Sequence, residues 1–171
     1  MTRFVLPLLA LALLLSAGCL GPRETPSLPR YTVADPPATP VARNLHPAVR
    51  LAADLRSASG PLHFHADGTV TPVQGLAYYA PLELAIEAAL RDATACDPGL
   101  APRRPAITVL AFGRDDRAAT PRAVVRLATS APDGSPREAS AARDLPPAPS
   151  PRDLRAALAA ALLEAYTELA R

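Results

Sequence analysis

The sequence predicts an α+β fold, in which a mostly antiparallel sheet carries two helices packed on one face and follows a signal peptide and a proline-rich tether. Three observations lead to this prediction. Short β-favouring runs recur between turn residues, only two segments carry a long helical period, and seven prolines lie within residues 20–47 after an apolar N-terminus. We therefore divide the chain into a signal peptide at 1–18, an N-terminal tether at 19–47, and one domain at 48–171.

The N-terminus has the layout of an export signal. Arg3 supplies a positive charge, and residues 4–15 form an apolar stretch of about 12 residues. That stretch is shorter than the roughly 20 apolar residues needed to span a bilayer. It leads into Cys19 through four residues that resemble the lipobox of bacterial lipoprotein signal peptides and would be recognised by the signal peptidase: Leu15, Ser16, Ala17 and Gly18. The resemblance implies cleavage after Gly18, diacylglyceryl transfer to the Cys19 sulfur and acylation of the new N-terminus. An ordinary signal peptide and an uncleaved anchor are the alternatives.

Charge and cysteine content narrow the class of protein. The 18 basic residues are all arginine, they are scattered, and 16 acidic residues oppose them, so the sequence does not indicate a nucleic-acid partner. Acylation would consume Cys19 and leave Cys96 without an intrachain partner. We expect Cys96 to be a small, partly buried residue near a helix end, and intermolecular pairing stays open.

Residues 20–47 predict an extended tether, because prolines are frequent and large apolar residues are few. The run Arg30-Tyr31-Thr32-Val33 is the candidate strand within it. If that run pairs with the domain, the free tether is only 20–29, which reaches about 30 Å at roughly 3.1 Å per residue. The domain would then stay close to the lipid surface.

Three short strands are predicted at the start of the domain. Residues 48–55 alternate well enough for a half-buried strand, followed by a turn at 57–60, and 62–65 read as the returning strand. Asp67-Gly68 predicts a tight turn into a third strand at 69–71. The side chains expected to point inward from the first strand are Val49, Leu51, Ala53 and Leu55.

The first helix is predicted over residues 81–95. Pro81 suits the first helical position, where its missing N–H costs nothing. Asp97-Pro98-Gly99 ends the helix. The apolar side chains at helical spacing are Leu82, Ile86, Leu90 and Ala93.

Three strands and a second helix complete the domain. After a linker at 102–105, residues 107–112 predict a central strand buried on both sides, 123–129 a second strand, and 137–143 a weaker edge strand. The C-terminal helix begins at Pro151, with Ser150 as its N-cap and Asp153 in a capping-box position. Its predicted apolar stripe consists of Leu154, Leu158, Ala161, Leu162, Ala165 and Leu169.

Catalytic and metal-binding patterns are weak in this sequence. His63 and His65 lie on the same side of a predicted strand, but Asp67 is the only nearby carboxylate, so we interpret them as exposed histidines rather than metal ligands. Asp115-Asp116 reads as a solvated loop pair, with too few oxygen ligands for Ca²⁺. No nucleophile elbow, zinc-protease motif or phosphate loop occurs. We therefore expect no enzyme activity, no metal and no cofactor other than the lipid on Cys19.

Tyr78 and Tyr79 precede the first predicted helix and have two interpretations. One ring can pack under the first helical turn as a hydrophobic staple. The alternative is contact with a partner or a second copy of the chain, because tyrosine is favoured where one end of a side chain is apolar and the other wet.

With these elements in place, the chain resembles the ABC-type transport auxiliary lipoproteins, a PqiC-like family that works with MCE-domain lipid transporters. Family members usually have Arg-Trp-x-x-Pro before the first helix, whereas this chain has Tyr78-Tyr79-Ala80-Pro81 there and no tryptophan. The segments that carry the resemblance are the lipobox, Arg30-Tyr31-Thr32-Val33, Ser59-Gly60-Pro61-Leu62-His63-Phe64, Leu76-Ala77-Tyr78-Tyr79-Ala80-Pro81-Leu82, the strand pair within 107–129 and the terminal helix.

The resemblance implies a non-catalytic lipoprotein that docks on an MCE-domain protein of an ABC lipid transporter, with self-association as a further implication. Leu20, rather than Asp, follows Cys19, which favours the outer membrane and a domain facing the periplasm. The ATPase is expected to be another subunit, since this chain has no P-loop. The main alternative is a structural or assembly lipoprotein, such as an accessory subunit of a secretion or lipopolysaccharide-assembly system. An anchored periplasmic hydrolase is a third.

Overall fold

A mixed, mostly antiparallel sheet forms the centre of the computed structural model, which describes residues 30–31, 33, 48–58, 60–96, 106–130 and 134–171. The α+β class is confirmed. The predicted signal peptide, Cys19 and most of the tether lie outside the described residues, as do the predicted helix stop at 97–99 and the linker at 102–105.

The described residues form eight strands and three helices. The strands are β1 (Arg30–Tyr31), β2 (Ala48–Leu51), β3 (Leu62–Phe64), β4 (Val70–Pro72), β5 (Ala77–Tyr78), β6 (Ala106–Asp115), β7 (Arg122–Ser130) and β8 (Pro136–Asp144). The helices are α1 (Ala53–Ala58), α2 (Leu82–Cys96) and α3 (Pro151–Ala170).

The central strand of the sheet is β6, as the sequence predicted. The sheet order is β4-β3-β6-β7-β8, and β2 also pairs with β6, so that β2 and β3 lie along the same edge of it. The pairs β3–β4, β6–β7 and β7–β8 are antiparallel, whereas β2 and β3 both run parallel to β6. β1 and β5 form a separate, two-stranded parallel ladder.

Only one face of β6 is fully buried, so the predicted burial on both sides is wrong. Ile107, Val109 and Phe112 are buried, and the side chains between them are half-buried. A register shift against β7 between Val109 and Ala111 inserts one extra residue. This bulge explains how Val109 and Phe112, three residues apart, both face the core.

The predicted strand at 48–55 is in fact a strand followed by a helix. β2 ends at Leu51, and α1 begins at Ala53. Val49, Leu51 and Leu55 are buried as predicted, but Ala53 is exposed. Leu51 and Leu55 are four residues apart, and side chains at that spacing share one face in a helix as well as in a strand. Their burial therefore did not distinguish the two structures.

The two long helices lie on one face of the sheet. α2 packs on β2, α3 packs across β7 and β8, and the helices contact each other. Ser150 caps α3, since its side chain accepts a hydrogen bond from the Asp153 backbone while the Asp153 carboxylate accepts one from the Ser150 backbone, which confirms the capping box. All six predicted stripe residues of α3 are buried, together with Tyr166.

Small side chains dominate the contact between α3 and the edge of the sheet. β8 is an edge strand, as predicted, and it buries only Ala139 and Ala141. On α3, Ala161 and Ala165 are also buried. Within the described part of the chain, no helix has the length and apolar character needed to cross a membrane.

Candidate functional site

The ladder of β1 and β5 connects the N-terminal part of the chain to the domain. Arg30 pairs with Ala77 and Tyr31 with Tyr78, in parallel register. The sequence predicted a strand at Arg30 but assigned no strand to 77–78. The predicted lipidation site Cys19 and the recognition residues Leu15, Ser16, Ala17 and Gly18 lie outside the described residues.

Tyr78 turns its ring toward the core. The ring packs against the buried cluster, and its centroid lies 6.5 Å from that of Phe112. Its hydroxyl is buried and has no hydrogen-bond partner. Burial raises the pKa of Tyr78, and the nearby charge of Arg155 opposes that effect only in part. Tyr78 is therefore held as a neutral phenol inside the domain.

Tyr79 points the other way and is 70% exposed. Neighbouring residues leaving a strand point to opposite sides, so the inward packing of Tyr78 directs Tyr79 to solvent. Leu84, in the first turn of α2, is 55% exposed although Leu82 and Ala85 beside it are buried. The residue after β5 and the first turn of α2 thus each present one large, solvent-facing side chain. We call Tyr79 and Leu84 the Tyr79 patch.

His63 and Asp116 join the ends of β3 and β6. His63 Nε2 donates to Asp116 Oδ2 at 2.9 Å, and Arg114 Nε donates to Asp116 Oδ1 at 2.7 Å. Burial raises the pKa of Asp116, but the hydrogen bonds from Arg114 and His63 and their charges lower it by more, so it lies below its usual value. The predicted solvated pair at 115–116 is therefore wrong, because Asp116 holds two strand ends together.

Asp115 and His65 have partners of their own. The hydrogen bond from Arg117 lowers the pKa of Asp115, whose carboxylate accepts two bonds from that guanidinium at 2.8 and 2.6 Å. The guanidinium also lies 5.1 Å from the ring centroid of Phe64. His65 Nε2 hydrogen-bonds with Thr71 Oγ1 at 2.8 Å. These contacts tie β3, β4 and the loop after β6 together.

The two histidines lie on the same side of β3, as predicted. Their ring centroids are 3.8 Å apart. Among the residues that the structure describes, no group of three or more His, Cys, Asp or Glu side chains could hold a metal ion. Cys96 ends α2 as a free, exposed thiol, so the expected partial burial is wrong.

A shallow groove of about 440 Å³ lies between the end of β8 and the outer surface of α3. Leu163 lies in it and is 44% exposed. An ion pair between Arg143 Nη2 and Glu164 Oε2, 2.7 Å apart, lies in it. No sequence pattern indicates this groove, because it depends on where β8 places Arg143 relative to α3.

Comparisons with known proteins support the fold and leave the function open. No family model matches the sequence, and no curated protein matches it. A solved crystal structure of an uncharacterized protein is similar, with a TM-score of 0.50 and 13% sequence identity over 72% of this chain and 86% of that chain. At that identity the likeness concerns the fold alone.

Proposed function

We propose that this chain is a lipid-anchored protein of the bacterial cell envelope, a non-catalytic auxiliary component of an MCE-type ABC lipid transport system. Cys19 would carry the anchor, and the domain would face the periplasm from the outer membrane. Its role would be to hold a docking module beside the membrane at which the transporter ends.

The observation that carries the proposal is the pairing of β1 with β5. Two of the segments through which the chain resembles the auxiliary lipoproteins, around Arg30 and around Tyr78, are neighbouring strands. The polypeptide that follows Cys19 therefore enters the fold as a strand, after the ten residues 20–29. Even fully extended, ten residues span only about 35 Å. An anchor on Cys19 would keep the domain within that distance of the lipid headgroups.

The polar clusters favour a structural rather than a catalytic role for the domain. His63 and Asp116, the groups best suited to acid–base chemistry, bind each other and Arg114 at the joined ends of β3 and β6. Asp115 is occupied by Arg117 in the same way. These contacts give both carboxylates a structural role at the ends of the strands.

The first experiment compares two cysteine variants of the full chain, Cys19→Ala and the matched control Cys96→Ala. We expect Cys19→Ala to abolish incorporation of a labelled fatty acid and to reduce the membrane-bound fraction about tenfold or more, because an acyl anchor supplies the membrane affinity. Cys96→Ala should behave as wild type, since Cys96 is an exposed residue at a helix end. Unchanged acylation and fractionation of Cys19→Ala would refute the anchor.

The second experiment identifies the partner. The native lipoprotein, crosslinked in envelope membranes and purified, should recover an MCE-domain protein by mass spectrometry, and the yield should fall in Cys19→Ala. Recovery of subunits of a secretion or lipopolysaccharide-assembly system in its place would favour the alternative function. That result would leave the anchor standing and remove the transport assignment.

A further inference from the structure

The Tyr79 patch lies beside the point where the tether enters the domain. Arg30 pairs with Ala77 and Tyr31 pairs with Tyr78, so Tyr79 is the next residue after this ladder. From the spacing of neighbouring strands and the rise along them, the Cα of Tyr79 lies about 8 Å from that of Arg30. The tether therefore joins the domain next to Tyr79, which is the most exposed large apolar side chain among the described residues.

We propose that the Tyr79 patch contacts the lipid surface, so that the domain rests on the membrane with the start of α2 facing the headgroups. The inference rests on the anchor at Cys19 in the proposed function, but not on the identity of the transporter. It assigns Tyr79 to a membrane contact rather than to a protein partner.

Tyrosine has the chemistry of the membrane interface. Its ring is apolar and its hydroxyl is polar, and tyrosines concentrate at the headgroup level for that reason. Tyr78, with its buried hydroxyl, cannot serve in this way, whereas Tyr79 is 70% exposed. Leu84, 55% exposed in the first turn of α2, adds an aliphatic side chain five positions along the chain.

Two side chains would bind lipid weakly by themselves, and the short tether makes weak binding sufficient. A short linker holds the second contact at an effective concentration on the order of millimolar. The ten residues 20–29 keep Arg30 within about 35 Å of the membrane. Tyr79 lies next to Arg30 and so stays beside the end of the tether. Leu163, in contrast, lies on the outer surface of α3, beside β8 at the sheet edge.

The chain contains no tryptophan, which permits a direct test. The variants Tyr79→Trp and Leu163→Trp each introduce a single reporter at an exposed apolar position, 70% and 44% exposed in the wild type. Each full-length, acylated lipoprotein is reconstituted into phosphatidylcholine vesicles with and without bromine on the acyl chains. Zwitterionic lipid is chosen because Glu83 and Glu87 lie on α2 near the patch.

We expect bromine to reduce the emission of Tyr79→Trp at least about twofold and to leave that of Leu163→Trp nearly unchanged, because an interfacial ring lies close to the acyl chains. Equal quenching of both variants, or quenching of neither, would overturn the inference while the anchor stands. Shielding of the Tyr79→Trp reporter only when an envelope protein is added would also overturn it, in favour of a protein contact. Absence of acylation would remove the inference and the proposed anchor together.

Discussion

Asp116 shows how single residues fix the ends of the sheet. Its two carboxylate oxygens accept hydrogen bonds from side chains on different strands, one from His63 on β3 and one from Arg114 on β6. Its side chain is 24% exposed, so water screens these contacts only in part. The carboxylate thus joins a parallel strand pair that has only three registered positions.

We predict that Asp116→Asn lowers the free energy of unfolding by about 1 kcal/mol at pH 7, the usual net value of such hydrogen bonds. Because the pKa of Asp116 lies below its ordinary value of 3.8, the ionised carboxylate stabilises the fold above that value. The contribution is lost as the pH falls through the lowered pKa. The stability difference between wild type and variant should therefore shrink below about pH 4.

Urea unfolding at a series of pH values measures this difference. Asp144→Asn is the matched control, because Asp144 pairs with Arg122 at 2.9 Å but its side chain is 71% exposed. An exposed pair of this kind contributes little, so the control should change stability by less than about 0.5 kcal/mol. Equal losses in both variants, or a difference for Asp116→Asn that persists at pH 2, would contradict the role given to Asp116.

At the scale of elements, the pairing of β3 with β6 requires a glycine. Gly113 is buried opposite Leu62, and a Cβ at this position would overlap the Leu62 backbone. The obstacle is main chain, which cannot rotate away as a side chain can. Any residue other than glycine would force the two strands apart.

We predict that Gly113→Ala lowers the unfolding free energy by roughly 2 kcal/mol or more, through strain of the kind caused by overpacking. Gly60→Ala is the control, since a Cβ there meets no atom within 4 Å. Thermal melts followed by circular dichroism compare the two variants. A wild-type melting temperature for Gly113→Ala would show that β3 and β6 are not held this closely.

The sequence was sufficient for elements whose signals are local. The cap of α3 follows from Ser150 and Asp153, three residues apart, and the stripe of α3 from its period. The two-residue strand β5 carries too few residues for any period, and its pairing depends on Arg30 and Tyr31. The His63–Asp116 contact spans 53 positions and exists only because β3 runs parallel to β6. Local patterns hold no information on such partners.

At the scale of the whole molecule, β6 unites the two halves of the domain. It pairs with β2 and β3 from the N-terminal half and with β7 from the C-terminal half. The helices also connect the two halves. α2 packs on β2 in the N-terminal half and contacts α3, and α3 covers β7 and β8 in the C-terminal half. Their buried side chains belong to one cluster. Neither half has a core that could persist alone.

We predict that the domain unfolds in a single cooperative transition, as small domains with one core do. Far-ultraviolet circular dichroism reports on the helices. Tyrosine fluorescence includes the signals of Tyr78 and Tyr166, which pack in the core. The two melting curves should coincide. Separate midpoints would indicate that the N-terminal strands unfold independently and would contradict a single core.

The position of β2 and β3 along one edge of β6 also sets when the chain can fold during synthesis. Both strands are made before β6, and β2 has no other sheet partner among the described strands. The hairpin of β3 and β4 is the antiparallel pair available earlier, and an isolated hairpin is marginally stable at best in water. The ribosome must therefore complete β6 before the sheet can begin to form. Until β6 is made, the N-terminal half therefore has no central sheet on which to pack.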